Sequence, residues 1–183
     1  MKNKAVFLDR DGVLNQVVVR NRIPHPPANA ADLLLAPSAK EALQELKAQG
    51  FLLLVVTNQP DVAKGITTRP LVEEINRKLA AELPLDDIFV CYHQDSDHCN
   101  CRKPKPEMIL EGARKHNVAL AESFMVGDRW RDVEAGQNAG CRTVFIDGGY
   151  EERQPARPAD ATVHSLKAAA DWILQASRKG VAQ

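Results

Sequence analysis

Short apolar runs alternate with segments of helical spacing along the chain. Ala5-Val6-Phe7-Leu8 ends abruptly at Asp9, and Phe51-Leu52-Leu53-Leu54-Val55-Val56, Ile88-Phe89-Val90, Ser123-Phe124-Met125-Val126 and Thr143-Val144-Phe145-Ile146 follow. Runs with no polar face predict strands buried on both sides. Between them, Ser38-Ala39-Lys40-Glu41 reads as a capping box. It opens a helix with Ala42, Leu43 and Leu46 on one face, stopped at Gly50. Further helices are predicted from about Pro70 to Leu83 (Leu71, Ile75 and Leu79 in register), from Pro106 to about His116, from Asp132 to Ala139 before Gly140, and from Ser165 to about Arg178. The stretch from Gly12 to Pro37 has no period and carries Pro24, Pro26 and Pro27, so it is predicted as loop. Strands alternating with helices give an α/β fold: a three-layer sandwich, Rossmann-like, with a mainly parallel central sheet and helices on both faces. In such folds ligands bind beyond the carboxyl ends of the strands. Polar residues collect there, at Asp9 and Asp11, at Thr57 and Asn58, and at Gly127 and Asp128.

Composition narrows the picture. The 183 residues suit one domain spanning 1–183, with no repeat or low-complexity run. Lys and Arg equal Asp and Glu at 24 each, which argues against nucleic-acid or membrane-surface partners. No stretch is apolar enough to span a bilayer, and the N-terminus lacks the apolar run of a signal peptide, so a cytoplasmic location is expected. Three of the four cysteines fall between Cys91 and Cys101, which in such a compartment reads as metal binding rather than disulfides. The pattern sets no oligomeric state.

Four constellations carry chemistry. In Asp9-Arg10-Asp11-Gly12-Val13-Leu14-Asn15, two carboxylates flank one residue past a buried strand, so both can face one side. One can attack phosphorus while the other protonates the leaving oxygen; two solvated acids in a turn would look the same. Val56-Thr57-Asn58-Gln59 places a hydroxyl and backbone N–H groups at a strand end, where phosphate oxygens can be held. Arg102-Lys103-Pro104-Lys105-Pro106 sets three cations before a helix N-terminus, a favourable place for anions. Lys103 would neutralise a transferring phosphoryl group and Arg102 grip a second anion bidentately. Asp128 follows a strand, where a hard cation fits between carboxylates, and Asp132 lies four residues on.

Taken together, from Val6 to about Ile146, these segments resemble the haloacid dehalogenase superfamily of phosphatases. The resemblance implies a nucleophile at Asp9 and a general acid, then base, at Asp11. It implies phosphate holders at Thr57, Asn58 and Lys103, and Mg²⁺ on Asp9, Asp128 and the backbone carbonyl of Asp11. Asp132 would support the metal site or Lys103, and Asn15 belongs to the same motif.

Cys91-Tyr92-His93 and Cys99-Asn100-Cys101 offer three thiolates and an imidazole, which suits a closed tetrahedral Zn²⁺ site; His98 is a rival ligand. A structural zinc there would fix Arg102 and Lys103, which follow directly. Such a loop in a capless chain is similar to the D-glycero-D-manno-heptose-1,7-bisphosphate 7-phosphatases and their relatives, the histidinol-phosphate phosphatases. That branch implies a small phosphorylated metabolite as partner, a sugar bisphosphate feeding surface-glycan (lipopolysaccharide) precursors, with cations at Arg102, Lys105, Arg129 and Arg131 free to serve a second phosphate. Histidinol phosphate, a nucleic-acid 3′-phosphate and a non-catalytic phosphate-binding module are the competing readings. The chain departs from the branch after Gln59, where Pro60-Asp61 replaces serine-glycine, and after Asn15, where Gln16-Val17 replaces glycine-tyrosine.

Overall fold

The structure is a computed structural model that describes residues 2–179. A six-stranded sheet has the order β5-β4-β1-β6-β7-β8, every pair parallel. Its strands are β1 (Lys4–Leu8), β4 (Phe51–Asn58), β5 (Asp87–Cys91), β6 (Phe124–Gly127), β7 (Arg142–Ile146) and β8 (Ala161–Val163). The helices are α1 (Ala39–Ala48), α2 (Arg69–Glu82), α3 (Glu107–Lys115), α4 (Trp130–Ala139) and α5 (Leu166–Lys179).

Two-residue alternation divides the core. Val6, Leu8, Leu53 and Val55 point to one face, where they meet Leu43 and Leu46 of α1, Ile75 and Leu79 of α2, and Ala170 and Ile173 of α5. Ala5, Phe7, Leu54 and Val56 point to the other, against Met108 and Ile109 of α3 and Ala135 of α4. The strands therefore need apolar residues at every position, which is why they read as continuous runs. Strand order reverses about β1, and the crevice at such a reversal is where a ligand is expected.

Five expectations need correction. The Gly12–Pro37 stretch holds a hairpin, β2 (Val18–Arg20) and β3 (Ile23–His25). Its Asn21 and Arg22 both have positive φ, 50 and 60°, which gives the backbone twist that two-residue hairpins favour. Among the described residues this hairpin is the sole strand pair outside the main sheet. The capping box does not form: Ser38 sits in the left-handed region at φ 56° with no side-chain cap bond. Leu71 is exposed, and α2 buries Val72, Ile75, Asn76 and Leu79 instead. β8 was not expected; it is short and half-buried, too weak a pattern to read. Pro106 precedes α3 rather than opening it, a one-residue difference. Among the described residues no helix is long and apolar enough to cross a membrane.

Candidate active site

The carboxyl ends of β1, β4 and β6 converge on one cavity of about 560 Å³, lined by Asp9, Asp11, Asn58, Arg102, Lys103, Asp128, Arg129, Arg131 and Asp132 among others. Asp9 leaves β1 with its N–H donating to Val126 O at 2.9 Å, which fixes it beside β6. Lys103 is the centre of the arrangement. Its buried Nζ donates to Asp9 Oδ1 at 2.7 Å and Val56 O at 2.7 Å, and pairs with Asp132 Oδ1 at 2.6 Å. Burial alone would lower the Lys103 ammonium; Asp132 and then Asp9 reverse this and hold it above its usual value. Asp132 Oδ2 meanwhile accepts the Arg129 N–H at 3.0 Å and closes the start of α4. Asp132 thus pairs with Lys103, and it also stands in the acidic group beside Asp9 and Asp128.

Carboxylate crowding gives the cavity its electrostatic character. Asp9, Asp128 and Asp132 each offer an oxygen within 4.8 Å of the others. Burial pushes the Asp9 carboxyl up, Lys103 opposes it, and Asp132 and Asp11 add to the rise, for a value of about 6. Burial, then the charges of Asp9 and Asp132, hold Asp128 well above its usual range. Both Asp128 oxygens are buried without a hydrogen-bond partner; the Tyr150 hydroxyl opposes the rise but is not in bonding geometry. A buried carboxylate with no donor is costly unless a cation meets it, so Asp9 and Asp128 fit a hard divalent ion. Gly12 keeps that space open. At φ 84° it turns the chain after Asp11, and a Cβ there would lie 1.9 Å from Asp128 Oδ2.

Asp11 is held by Asn15, which the motif included, and by Arg10 and Gln59, to which the motif gave no role. The wholly buried Arg10 forks onto both its oxygens, with Nη2 at 2.8 Å from Oδ2, and anchors its other end on Asn76 Oδ1 at 2.9 Å. Asn15 Nδ2 donates to Asp11 Oδ1 at 3.1 Å, and Gln59 Nε2 to Oδ2 at 2.8 Å. Gln59 also donates to the buried Thr57 hydroxyl at 2.9 Å. Asn58 is a clamp: its Oδ1 accepts the Lys103 N–H and its Nδ2 donates to Lys103 O, both at 3.1 Å. Arg10 stood in the motif between two acids, a visible hint; Gln59 gave none beyond its place beside Thr57.

A second constellation stands beside this cavity. Cys91 Sγ lies 3.0 Å from Cys101 Sγ and 3.7 Å from Cys99 Sγ, with Cys99 and Cys101 3.6 Å apart. His93 Nδ1 is 3.6 Å from Cys91 Sγ and 3.3 Å from Cys101 Sγ. A tetrahedral ion at metal–sulfur distances of about 2.3 Å has edges of roughly 3.5–3.8 Å, so the donor set fits one, with the Cys91–Cys101 edge drawn in. His98 is outside the cluster. Arg102, just after Cys101, donates Nη1 to His93 O at 3.2 Å and Nε to Asp95 Oδ1 at 3.0 Å. The loop thus holds Arg102 at the cavity, while Asp95 occupies the guanidinium expected to take an anion.

The chain is similar to known proteins in sequence and in fold. Residues 15–140 match the family described as haloacid dehalogenase-like hydrolase. A D-glycero-beta-D-manno-heptose-1,7-bisphosphate 7-phosphatase of Helicobacter pylori strain J99 is 34% identical over 179 residues, 93% of this chain and 97% of that one. A Mycobacterium bovis protein named for the alpha anomer is 34% identical over 173 residues, 88% of this chain and 87% of its own. The crystal structure of a D,D-heptose 1,7-bisphosphate phosphatase from B. bronchiseptica, complexed with magnesium and phosphate, superposes with a TM-score of 0.76 at 30% identity, covering 94% of this chain and 99% of that one. The family match over residues 15–140 and the similarity to these relatives along nearly the whole chain show that this chain belongs to the haloacid dehalogenase-like hydrolases.

Proposed function

We propose that the protein is a phosphatase that removes the 7-phosphate of D-glycero-D-manno-heptose-1,7-bisphosphate through a phosphoaspartyl group on Asp9. The observation that carries this is a single cavity with two ends that suit a phosphate, one through Lys103 and the cation its carboxylates would hold, the other through guanidiniums. One end is Asp9, Lys103 and the unpartnered Asp128; the other is the pair Arg102 and Arg131. A substrate with a phosphate at each end of a sugar suits both, and the names of the relatives point to the same class of substrate.

Asp9 has one oxygen tied to Lys103 and one left to attack phosphorus. The P–O bond to the sugar breaks as the Asp9–phosphorus bond forms, and protonated Asp11 gives its proton to the departing oxygen. Asp11, now a carboxylate, takes a proton from water, which attacks the same phosphorus and frees Asp9. Lys103 follows the charge throughout, since its ammonium can pass from the Asp9 carboxylate to a phosphoryl oxygen. Arg10, Asn15 and Gln59 donate to both oxygens of Asp11 and hold it as a carboxylate, so its acid task requires it to turn from at least one of these donors and take up a proton. Asp9, Asp128 and the backbone carbonyl of Asp11 would hold Mg²⁺, which when bound neutralises phosphate charge that otherwise repels Asp9.

The Cys91, His93, Cys99 and Cys101 cluster is best suited to Zn²⁺ in a structural role, since all four tetrahedral positions are filled. Phosphate release with Mg²⁺ from both heptose-1,7-bisphosphate anomers, histidinol phosphate and a 3′-phosphorylated oligonucleotide tests the reading. The expected result is a kcat/KM at least about tenfold higher for a heptose bisphosphate. Preference for histidinol phosphate would replace it.

A further inference from the structure

The arginine end of the cavity already contains an anion. Asp95 Oδ1 accepts from Arg102 Nε at 3.0 Å, and its Oδ2 accepts from Arg131 Nη2 at 3.1 Å. The two guanidiniums come from different elements, the cysteine loop and α4, and both line the cavity. Their other bonds are to backbone: Arg102 Nη1 to His93 O, and Arg131 Nη1 to Lys103 O at 3.4 Å. Each arginine is thus held in place without Asp95. The carboxylate itself is 64% exposed, on a short 3₁₀ turn (Asp95–Asp97), and nothing buried holds it.

We propose that Asp95 is an internal competitor in substrate binding: a carboxylate resting in the seat of the second phosphate, which that phosphate displaces. The inference rests on reading the cavity as a bisphosphate site. A monophosphate engaged at Asp9 and Lys103 leaves Asp95 where it is and gains nothing from the two arginines. A bisphosphate must turn Asp95 into water, then gains bidentate contacts that a phosphate dianion fills better than a carboxylate. Asp95 therefore weakens the binding of an anion that reaches the two arginines, and leaves an anion held at Asp9 and Lys103 alone nearly unaffected.

The test uses general probes, so it does not depend on the physiological substrate. Fructose 1,6-bisphosphate and fructose 6-phosphate are titrated as inhibitors of p-nitrophenyl phosphate hydrolysis by wild type, Asp95→Asn and Asp95→Glu, with Mg²⁺ and Zn²⁺ present. Asp95→Asn is expected to tighten the bisphosphate roughly three- to tenfold and the monophosphate less than about twofold. Asp95→Glu, which keeps the charge, is expected to stay near wild type. Weaker bisphosphate binding in Asp95→Asn would make Asp95 a strut for the arginines and overturn the proposal. Equal effects on both sugars, or none, would overturn it too. Failure of the wild type to hydrolyse a heptose bisphosphate would instead count against the proposed substrate, whatever Asp95 does here.

Discussion

Lys103 shows how tightly single residues are coupled at this site. Its ammonium protons go to Asp9, Asp132 and Val56 O, in a pocket where each of those carboxylates is buried. Lys103→Met leaves both acids without their cation, and breaking such a buried pair costs about 3–5 kcal/mol. The melting temperature should fall by about 10 °C, read by calorimetry, along with loss of turnover. A drop of only a degree or two would mean that Asp9 and Asp132 do not depend on it. A second residue-scale outcome concerns protons. Asp9 must lose its proton to serve a cation, and its carboxyl lies near 6 before the ion arrives. Mg²⁺ should therefore bind about tenfold more weakly at pH 5 than at pH 7, by isothermal titration, and pH-independent affinity would contradict the role given to Asp9. The sequence made Asp9, Lys103 and Asp128 legible because each follows a strand or precedes a helix in a known kind of pattern. It did not show that Arg10 folds back onto Asp11, that Asn58 clamps the Lys103 backbone, or that Asp95 lies between Arg102 and Arg131. Those pairings need the sheet to be assembled first.

The elements that mattered were mostly legible for the same reason they are stable. β1, β4 and β6 are buried on both faces, so their apolar runs stand out; α1 and α3 carry a clear stripe. The hairpin of β2 and β3 was not legible. Its strands are short and largely exposed, one contains Pro24, and its turn uses Arg22 where glycine would have signalled a positive φ. Yet Ile23, Pro24 and His25 line the cavity, so the hairpin helps wall the site. The cysteine loop leads directly into Arg102 and Lys103, and holds Arg102 through His93 O and Asp95. On the proposed zinc site, a selective chelator should speed hydrogen exchange across residues 91–103 and lower kcat/KM for the bisphosphate by roughly tenfold or more. Exchange in β1, β4 and β6 should stay slow. Unchanged exchange in the loop would make the metal incidental to its shape.

At the scale of the whole molecule, alternation of strands and helices was enough to predict a parallel sheet, but not its order. That order, with β1 between β4 and β6, brings Asp9, Lys103 and Asp128 together from distant parts of the chain. The same convergence sets a stability cost. Asp128 has a folded-state value above its unfolded one, so its charge weakens the metal-free fold as pH rises past the ordinary carboxylate range. Asp128→Asn, with magnesium absent, should melt higher than wild type at pH 7 and lose this advantage in acid. A lower melting temperature would mean that Asp128 stabilises the fold through contacts of its own. The central claim is covalent catalysis by Asp9. It is tested most directly by single-turnover phosphate release from heptose-1,7-bisphosphate with Mg²⁺, comparing wild type with Asp9→Asn at equal fold content by circular dichroism. Loss of at least about a thousandfold in rate, with a phosphoryl adduct trapped on the Asp9 peptide of the wild type alone, is expected. An Asp9→Asn protein that turns over near the wild-type rate would show that another group attacks phosphorus.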